Sequence, residues 1–232
     1  MALGISIWLS TQTTQFLTIE NLSNLTAQAM PIIITSIGQA LVVLVGGLDL
    51  SVGSVISFTT ANLTLGGPAW VLLPAVFALA ALIGLTNGFV ITRFRVHPII
   101  ATLSMQYMIL GVTRSLRPVS GGNVPEIVVS AVSGSVFGIP FPVISGVLVI
   151  LIGWKLMYRA RYGLHLFAVG GGVAARQTGA ARNFGISDSR TILLADVLCA
   201  CFAALSGCFW PGALCRATRM SACWWSWTAS PL

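Results

Sequence analysis

The most chemically distinctive residues of the chain lie in the run Gly-Gly-Leu-Asp-Leu-Ser-Val-Gly-Ser, from Gly46 to Ser54. This run places one carboxylate, Asp49, in an otherwise uncharged apolar stretch from Met30 to Leu65. A charge at membrane depth costs roughly 2.5–3.5 kcal/mol, so such residues usually serve a function. The glycines predict unwound backbone, which a membrane tolerates only beside protein or a water-filled path. The run therefore predicts a polar break in a membrane helix. The alternative is a short loop between two helices, with Asp49 capping the second.

The composition predicts that lipid surrounds the elements that position this run. Of the 232 residues, 56% are hydrophobic and only 7% are charged, whereas soluble domains carry about 25% charged residues. The 43 residues from Leu50 to Thr92 contain no charge, which leaves room for two spans of about 20 residues. We therefore predict an all-α polytopic membrane bundle with about six or seven membrane segments. Residues 1–209 form its one domain.

The positive charges predict how the chain is oriented. Residues 1–92 contain no Lys or Arg, and eight of the twelve positive residues lie in the segments 93–95 and 155–190. Such clustering is typical of cytoplasmic loops, so both segments are predicted to face the cytosol. The net charge of +7 does not indicate nucleic-acid binding, because no basic stripe interleaved with aromatic residues is present.

Two predicted spans carry polar residues of interest. In the span Trp70–Thr92, Gly84 and Gly88 form a small-xxx-small face that lets another helix approach, and Asn87 could hydrogen-bond across that contact. The last span, Thr191–Phe209, contains one acid, Asp196. That acid is either buried in the span or, as we favour, in the first turn, where a carboxylate stabilises the helix N-terminus.

No residue pattern predicts an enzyme. The chain has no Walker phosphate loop and no paired-carboxylate, Cys/His or Ser/His constellation. The five cysteines lie in the last 34 residues with spacings that fit no zinc site. The run Gly170–Ala175 satisfies G-x-G-x-x-A, but membrane spans flank it where a βαβ unit is required. We therefore expect no catalytic residue, no cofactor and no metal.

The segment 163–187 is basic and rich in small residues. It is longer than most connections between elements. A short helix of alanine and arginine between glycine breaks would suit docking into a groove on a partner.

Four segments together resemble the ribose-type sugar permeases of ABC importers: Gly46–Ser54, Leu85–Arg95, Pro98–Leu103 and Arg161–Ile186. The resemblance implies a permease in the bacterial inner membrane that works with a second permease copy, identical or paralogous. It also implies a separate ABC ATPase docked on cytoplasmic loops and a periplasmic sugar-binding protein.

The resemblance also implies roles for individual residues. The translocation path would include Gly46, Gly47, Asp49, Ser51 and Asn87. The ATPase coupling loop would include Arg161, Gly163, Gly170, Gly171, Ala180, Ala181, Arg182 and Gly185.

Residues 210–232 depart from the family pattern, which is predicted to stop near Gly207. They hold four of the seven tryptophans and show no helical apolar period. They read like translation in a shifted frame, which predicts a permease truncated at its C-terminus. Two other functions stay open at this point: an ion-coupled secondary transporter, and a fragment that enters the membrane but transports nothing.

Overall fold

The structure is a computed structural model that describes residues 4, 8, 18–118, 124–136, 139–174 and 185–228. Its elements in chain order are α1 (Ile19–Leu44), α2 (Val52–Leu63), α3 (Ala69–Phe94), α4 (Pro98–Leu116), α5 (Glu126–Ser133), β1 (Ser135–Val136), β2 (Ile139–Pro140), α6 (Phe141–Tyr158), α7 (Arg161–Ala174) and α8 (Asp188–Thr228). The two strands form one short antiparallel hairpin.

Five of these helices are long and apolar enough to cross a membrane: α1, α3, α4, α6 and the Asp188–Trp210 part of α8. Helix α2 is also apolar but has only 12 residues, or about 18 Å. The prediction of an all-α polytopic membrane protein is confirmed. The described residues hold six membrane segments when α2 is counted.

The central helix is α8, whose membrane segment is the most buried of the five. Small side chains make this possible, because they let neighbouring helices approach closely. The fully buried ones are Ala195, Cys199, Ala200, Ala203 and Ala204.

Helix α1 runs antiparallel to α8 along much of its length. Gly38 packs against Cys199, and about two turns earlier in α1 the Ser206 hydroxyl donates to the Pro31 carbonyl at 2.8 Å. Helix α6 packs on the other side of α1, with Gly153 beside Ile37.

Helix α5 lies in the connection between α4 and the hairpin, and it packs against α8. Two other segments differ from their sequence-based predictions. The basic stretch 155–190 contains α7, which begins at Arg161 and continues helically through its glycine triplet. Helix α8 begins at Asp188 and extends to Thr228, beyond the predicted limits of the last span.

The two arginine-rich segments lie at the same end of the bundle, as predicted. Gly47, after the end of α1, lies beside Pro98, which begins α4. Gly170 of α7 contacts the backbone of Leu44, the last residue of α1. We call this end, formed by residues 93–98, 158–174 and 185–190, the arginine-rich face.

Candidate functional site

The break after α1 is built by its two glycines. Gly46 has φ +79°, in the left-handed region that glycine adopts without steric cost. The Gly46 amide donates to the Val43 carbonyl and the Gly47 amide to the Val42 carbonyl, each at 3.0 Å. This pair of bonds is a Schellman motif, which ends a helix and satisfies its last carbonyls. The predicted interruption is therefore present, as a defined helix end at Leu44 followed by seven residues before α2 begins at Val52.

Asp49 lies in this break and is only 4% exposed. Its Oδ1 accepts from the Ser51 amide at 2.8 Å and from the Ser51 hydroxyl at 2.6 Å. The Asn87 amide on α3 donates to that hydroxyl at 3.0 Å. Asp49 therefore closes a turn on Ser51 instead of capping the amides of α2. The structure brings three of the five predicted path residues into one hydrogen-bonded chain.

Two further residues hold the backbone of the break. The Thr102 hydroxyl on α4 accepts from the Leu50 amide at 3.1 Å and approaches the Leu48 carbonyl at 3.2 Å. With its amide oriented to match its neighbours, Gln39 on α1 donates to the Asp49 carbonyl and accepts from the Asp49 amide, both at 3.2 Å. Sequence reasoning missed both residues, because a lone threonine or glutamine in an apolar helix carries no distinctive spacing.

Asp196 lies on α8 one turn before Cys199, whose Sγ is 3.7 Å from the side-chain amide of Gln39, the residue that brackets the Asp49 backbone. It is 1% exposed and lies two turns inside the helix. The favoured prediction, a place in the first turn, is wrong because α8 begins at Asp188, which supplies the first-turn carboxylate.

Helices α3 and α8 meet beside these acids along the predicted small-residue face. A Cβ added to Gly84 would lie 2.6 Å from the Asp196 carbonyl oxygen, and one added to Gly88 would lie 2.7 Å from the Leu193 Cα. The predicted close helix contact is confirmed.

The break lies toward the arginine-rich face. Asn87 precedes Arg93 by six residues, which is about 9 Å along a helix. Asp49, Ser51 and Asn87 therefore lie inside the bundle but within a few turns of the predicted cytoplasmic end, and not at the middle of the span.

The predicted coupling residues are spread along and after α7. Gly163 is buried, Gly170 is half-buried, and Arg161, Gly171 and Gly185 are exposed. Ala180, Ala181 and Arg182 lie outside the described residues.

One face of α7 packs onto the bundle. Leu166 and Val169 are buried in the main apolar core, and the Tyr162 hydroxyl donates to the Thr191 carbonyl at 3.1 Å. Burial raises the pKa of that hydroxyl, which keeps it a neutral donor. At Gly170 an added Cβ would overlap the Leu44 carbonyl oxygen. Helix α7 is thus seated directly on the end of α1.

The exposed face of α7 carries two large apolar side chains beside Arg161 and His165. Leu164 is 71% exposed and Phe167 is 42% exposed. Tyr158, at the end of α6, lies 6.1 Å from the Phe167 ring, centroid to centroid. These three side chains form a patch at the arginine-rich face that a partner could cover.

These features define a multi-pass helical membrane protein with a buried polar break between two helices. Residues 21–217 match the family described as the permease component of branched-chain amino acid transport systems, and the chain belongs to that family. The match continues ten residues beyond Gly207, where the pattern was predicted to stop. This family description confirms the expectation that the chain is a transporter subunit and not an enzyme.

The curated relatives include permeases for sugars, which confirms the resemblance to the ribose-type group. The ribose import permease protein RbsC of Escherichia coli K12 is 33% identical over 207 residues, covering 85% of this chain and 63% of its own length. The galactofuranose transporter permease protein YtfT of the same organism is 31% identical, covering 78% and 53%. The D-allose transport system permease protein AlsC, also from that organism, is 31% identical, covering 74% and 54%. The chain thus spans less than two thirds of the length of these relatives. No solved structure matches it.

Proposed function

We propose that this chain is the membrane-spanning permease subunit of an ABC importer that carries a sugar across the bacterial inner membrane. The names of the relatives, permeases for ribose, galactofuranose and D-allose, support this function over an ion-coupled transporter. In this proposal a separate ATPase docks on the arginine-rich face. A periplasmic binding protein delivers the sugar at the opposite face, and a second permease copy completes the transporter.

The proposal rests on the packing of α7 directly against the C-terminal end of α1. One face of α7 offers the apolar patch of Leu164 and Phe167 to a docking partner. The opposite face meets Leu44, two residues before the break begins at Gly46. A displacement of α7 by the ATPase would therefore reach the break through the contact of Gly170 with the end of α1.

The break is suited to respond to such a displacement. It is an irregular segment between two helices, held by side chains from α1, α3 and α4. Hinges of this kind absorb motion in a few residues at the ends of elements. We assign Gly46, Gly47, Asp49, Ser51 and Asn87 to the translocation path on this basis.

Two adjacent glycines provide a matched test of this coupling. Gly170→Ala places a Cβ against the Leu44 carbonyl, whereas Gly171→Ala places one where nothing lies within 4 Å. Both changes add the same methyl group to the same helix. We expect Gly170→Ala to retain the co-purified ATPase but to reduce ATP-driven sugar uptake by about 5- to 150-fold, the usual range of a coupling free energy. Gly171→Ala should match the wild type.

Two outcomes of this experiment would count against different parts of the proposal. Wild-type uptake by Gly170→Ala would show that the contact with Leu44 does not carry the coupling. Failure of a cognate ATPase to co-purify with the unaltered chain would contradict the assignment as an ABC permease.

Competition for uptake tests the substrate class. We expect radiolabelled ribose or allose to be taken up by vesicles that contain the whole importer, with each sugar inhibiting the other and leucine inhibiting neither. The family description names branched-chain amino acids, so uptake that leucine blocks and sugars do not would overturn the sugar assignment.

A further inference from the structure

Among the described residues, none hydrogen-bonds to the buried Oδ2 atom of Asp196, the acid on α8, to stabilise a negative charge. Asp196 is 1% exposed. A buried carboxylate without partners is costly, and such groups usually neutralise by taking up a proton.

Its neighbour Asp49 is placed differently. The Oδ1 atom of Asp49 accepts two hydrogen bonds from Ser51, which is itself fixed by Asn87. Hydrogen bonds donated to a carboxylate favour its charged form. The Oδ2 atom of Asp49 is buried without a partner, like that of Asp196.

No positive charge among the residues that the structure describes compensates the two acids. Apart from Asp49, the titratable groups near Asp196 in the described parts of the chain are Cys199 on the same helix and Tyr162 on α7. Helices α1 and α3 present the neutral amides of Gln39 and Asn87 to this region. Two carboxylates that share such a site cannot both be ionised without a large penalty.

We propose that Asp196 is a neutral carboxylic acid in the folded protein and that Asp49 is its ionised neighbour. The pair then binds one proton between the helix break and α8. A metal ion fits less well, because the described residues contain no group of three or more His, Cys, Asp or Glu side chains that could hold one. Loss of the proton would place two negative charges together and push the break away from α8. This inference concerns the resting chain and does not depend on the proposed transport.

Infrared spectroscopy of the purified full chain in lipid nanodiscs tests this assignment. The wild type should show the carbonyl stretch of a protonated carboxylic acid at neutral pH, with a downward shift in heavy water. Asp196→Asn should abolish that band while keeping the fold, because asparagine resembles the neutral acid in shape and charge. Asp188→Asn, at the start of the same helix, and Asp49→Asn should both retain the band.

Three results would overturn the proposal. The first is a band that persists in Asp196→Asn. The second is a band that is lost in Asp49→Asn but kept in Asp196→Asn, which would place the proton on Asp49. The third is a wild-type spectrum at neutral pH without the band. The last needs no variant, so the test stands even if a substitution prevents folding.

Discussion

Gly46 controls where α1 ends, and thereby where Asp49 lies. Its left-handed φ of +79° allows both Schellman hydrogen bonds to form. Without that turn, α1 would continue and Asp49 would leave its contact with Ser51. The glycine and the acid therefore act as one unit, although only the acid carries a charge.

Replacing Gly46 with alanine should destabilise the protein. A side chain in the left-handed region costs about 1–2 kcal/mol, so thermal unfolding of the Gly46→Ala chain in detergent should have a lower midpoint than the wild type. Gly53→Ala is the control, because Gly53 lies in α2 with open space around it. The control should be neutral or slightly stabilising. Equal midpoints for both variants would contradict this role of Gly46.

The sequence predicted part of this site and missed the rest for identifiable reasons. Asp49 stands out because a charge is rare in an apolar run, Gly46 because it adjoins a second glycine, and Asn87 because it lies on the small-residue face of α3. Thr102 was missed because threonine is common in helices, and its role depends on α4 lying beside the break. The position of Asp196 within its helix was predicted wrongly, because α8 begins three residues earlier than the apolar pattern indicated.

At the scale of elements, the contact between α3 and α8 positions the site. Gly84 and Gly88 let the backbones meet, and this brings Asn87 to Ser51 and Asp196 near Asp49. The small-residue spacing predicted that a helix would approach this face. It could not predict which helix, since many apolar helices could pack there.

A methyl group in this contact should loosen the bundle. Gly84→Ala would force the Asp196 backbone to move, and overpacking of this kind typically costs 1–3 kcal/mol. Gly111→Ala in α4 is the matched control, because nothing lies within 4 Å of its added Cβ. The unfolding midpoint in detergent should fall for the first variant only. A similar midpoint for both would mean that α3 and α8 are not packed this closely.

Helix α7 shows why some elements cannot be predicted from local sequence. Its glycine triplet indicates a break, because glycine lowers helix propensity by about 1 kcal/mol per residue. The helix continues through it, since Leu166 and Val169 are buried in the core and Gly170 fits against α1. Tertiary packing thus outweighs the local preference of the three glycines to end the helix.

Over the whole molecule, one end of the bundle combines the arginine-rich segments, α7 and the nearby helix break. The charge pattern predicted that the two segments share a side, and the contacts of Leu44 and Gly47 confirm it. The cytosolic location of that end, and its use by an ATPase, are proposals.

The energy source of uptake tests the central claim most directly. It is measured with sealed vesicles that contain this chain, a cognate ABC ATPase and a sugar-binding protein. We predict that sugar accumulation requires ATP and continues when an uncoupler collapses the proton gradient. Accumulation that is insensitive to ATP depletion but abolished by the uncoupler would show that the chain is not an ABC permease subunit and would indicate an ion-coupled transporter.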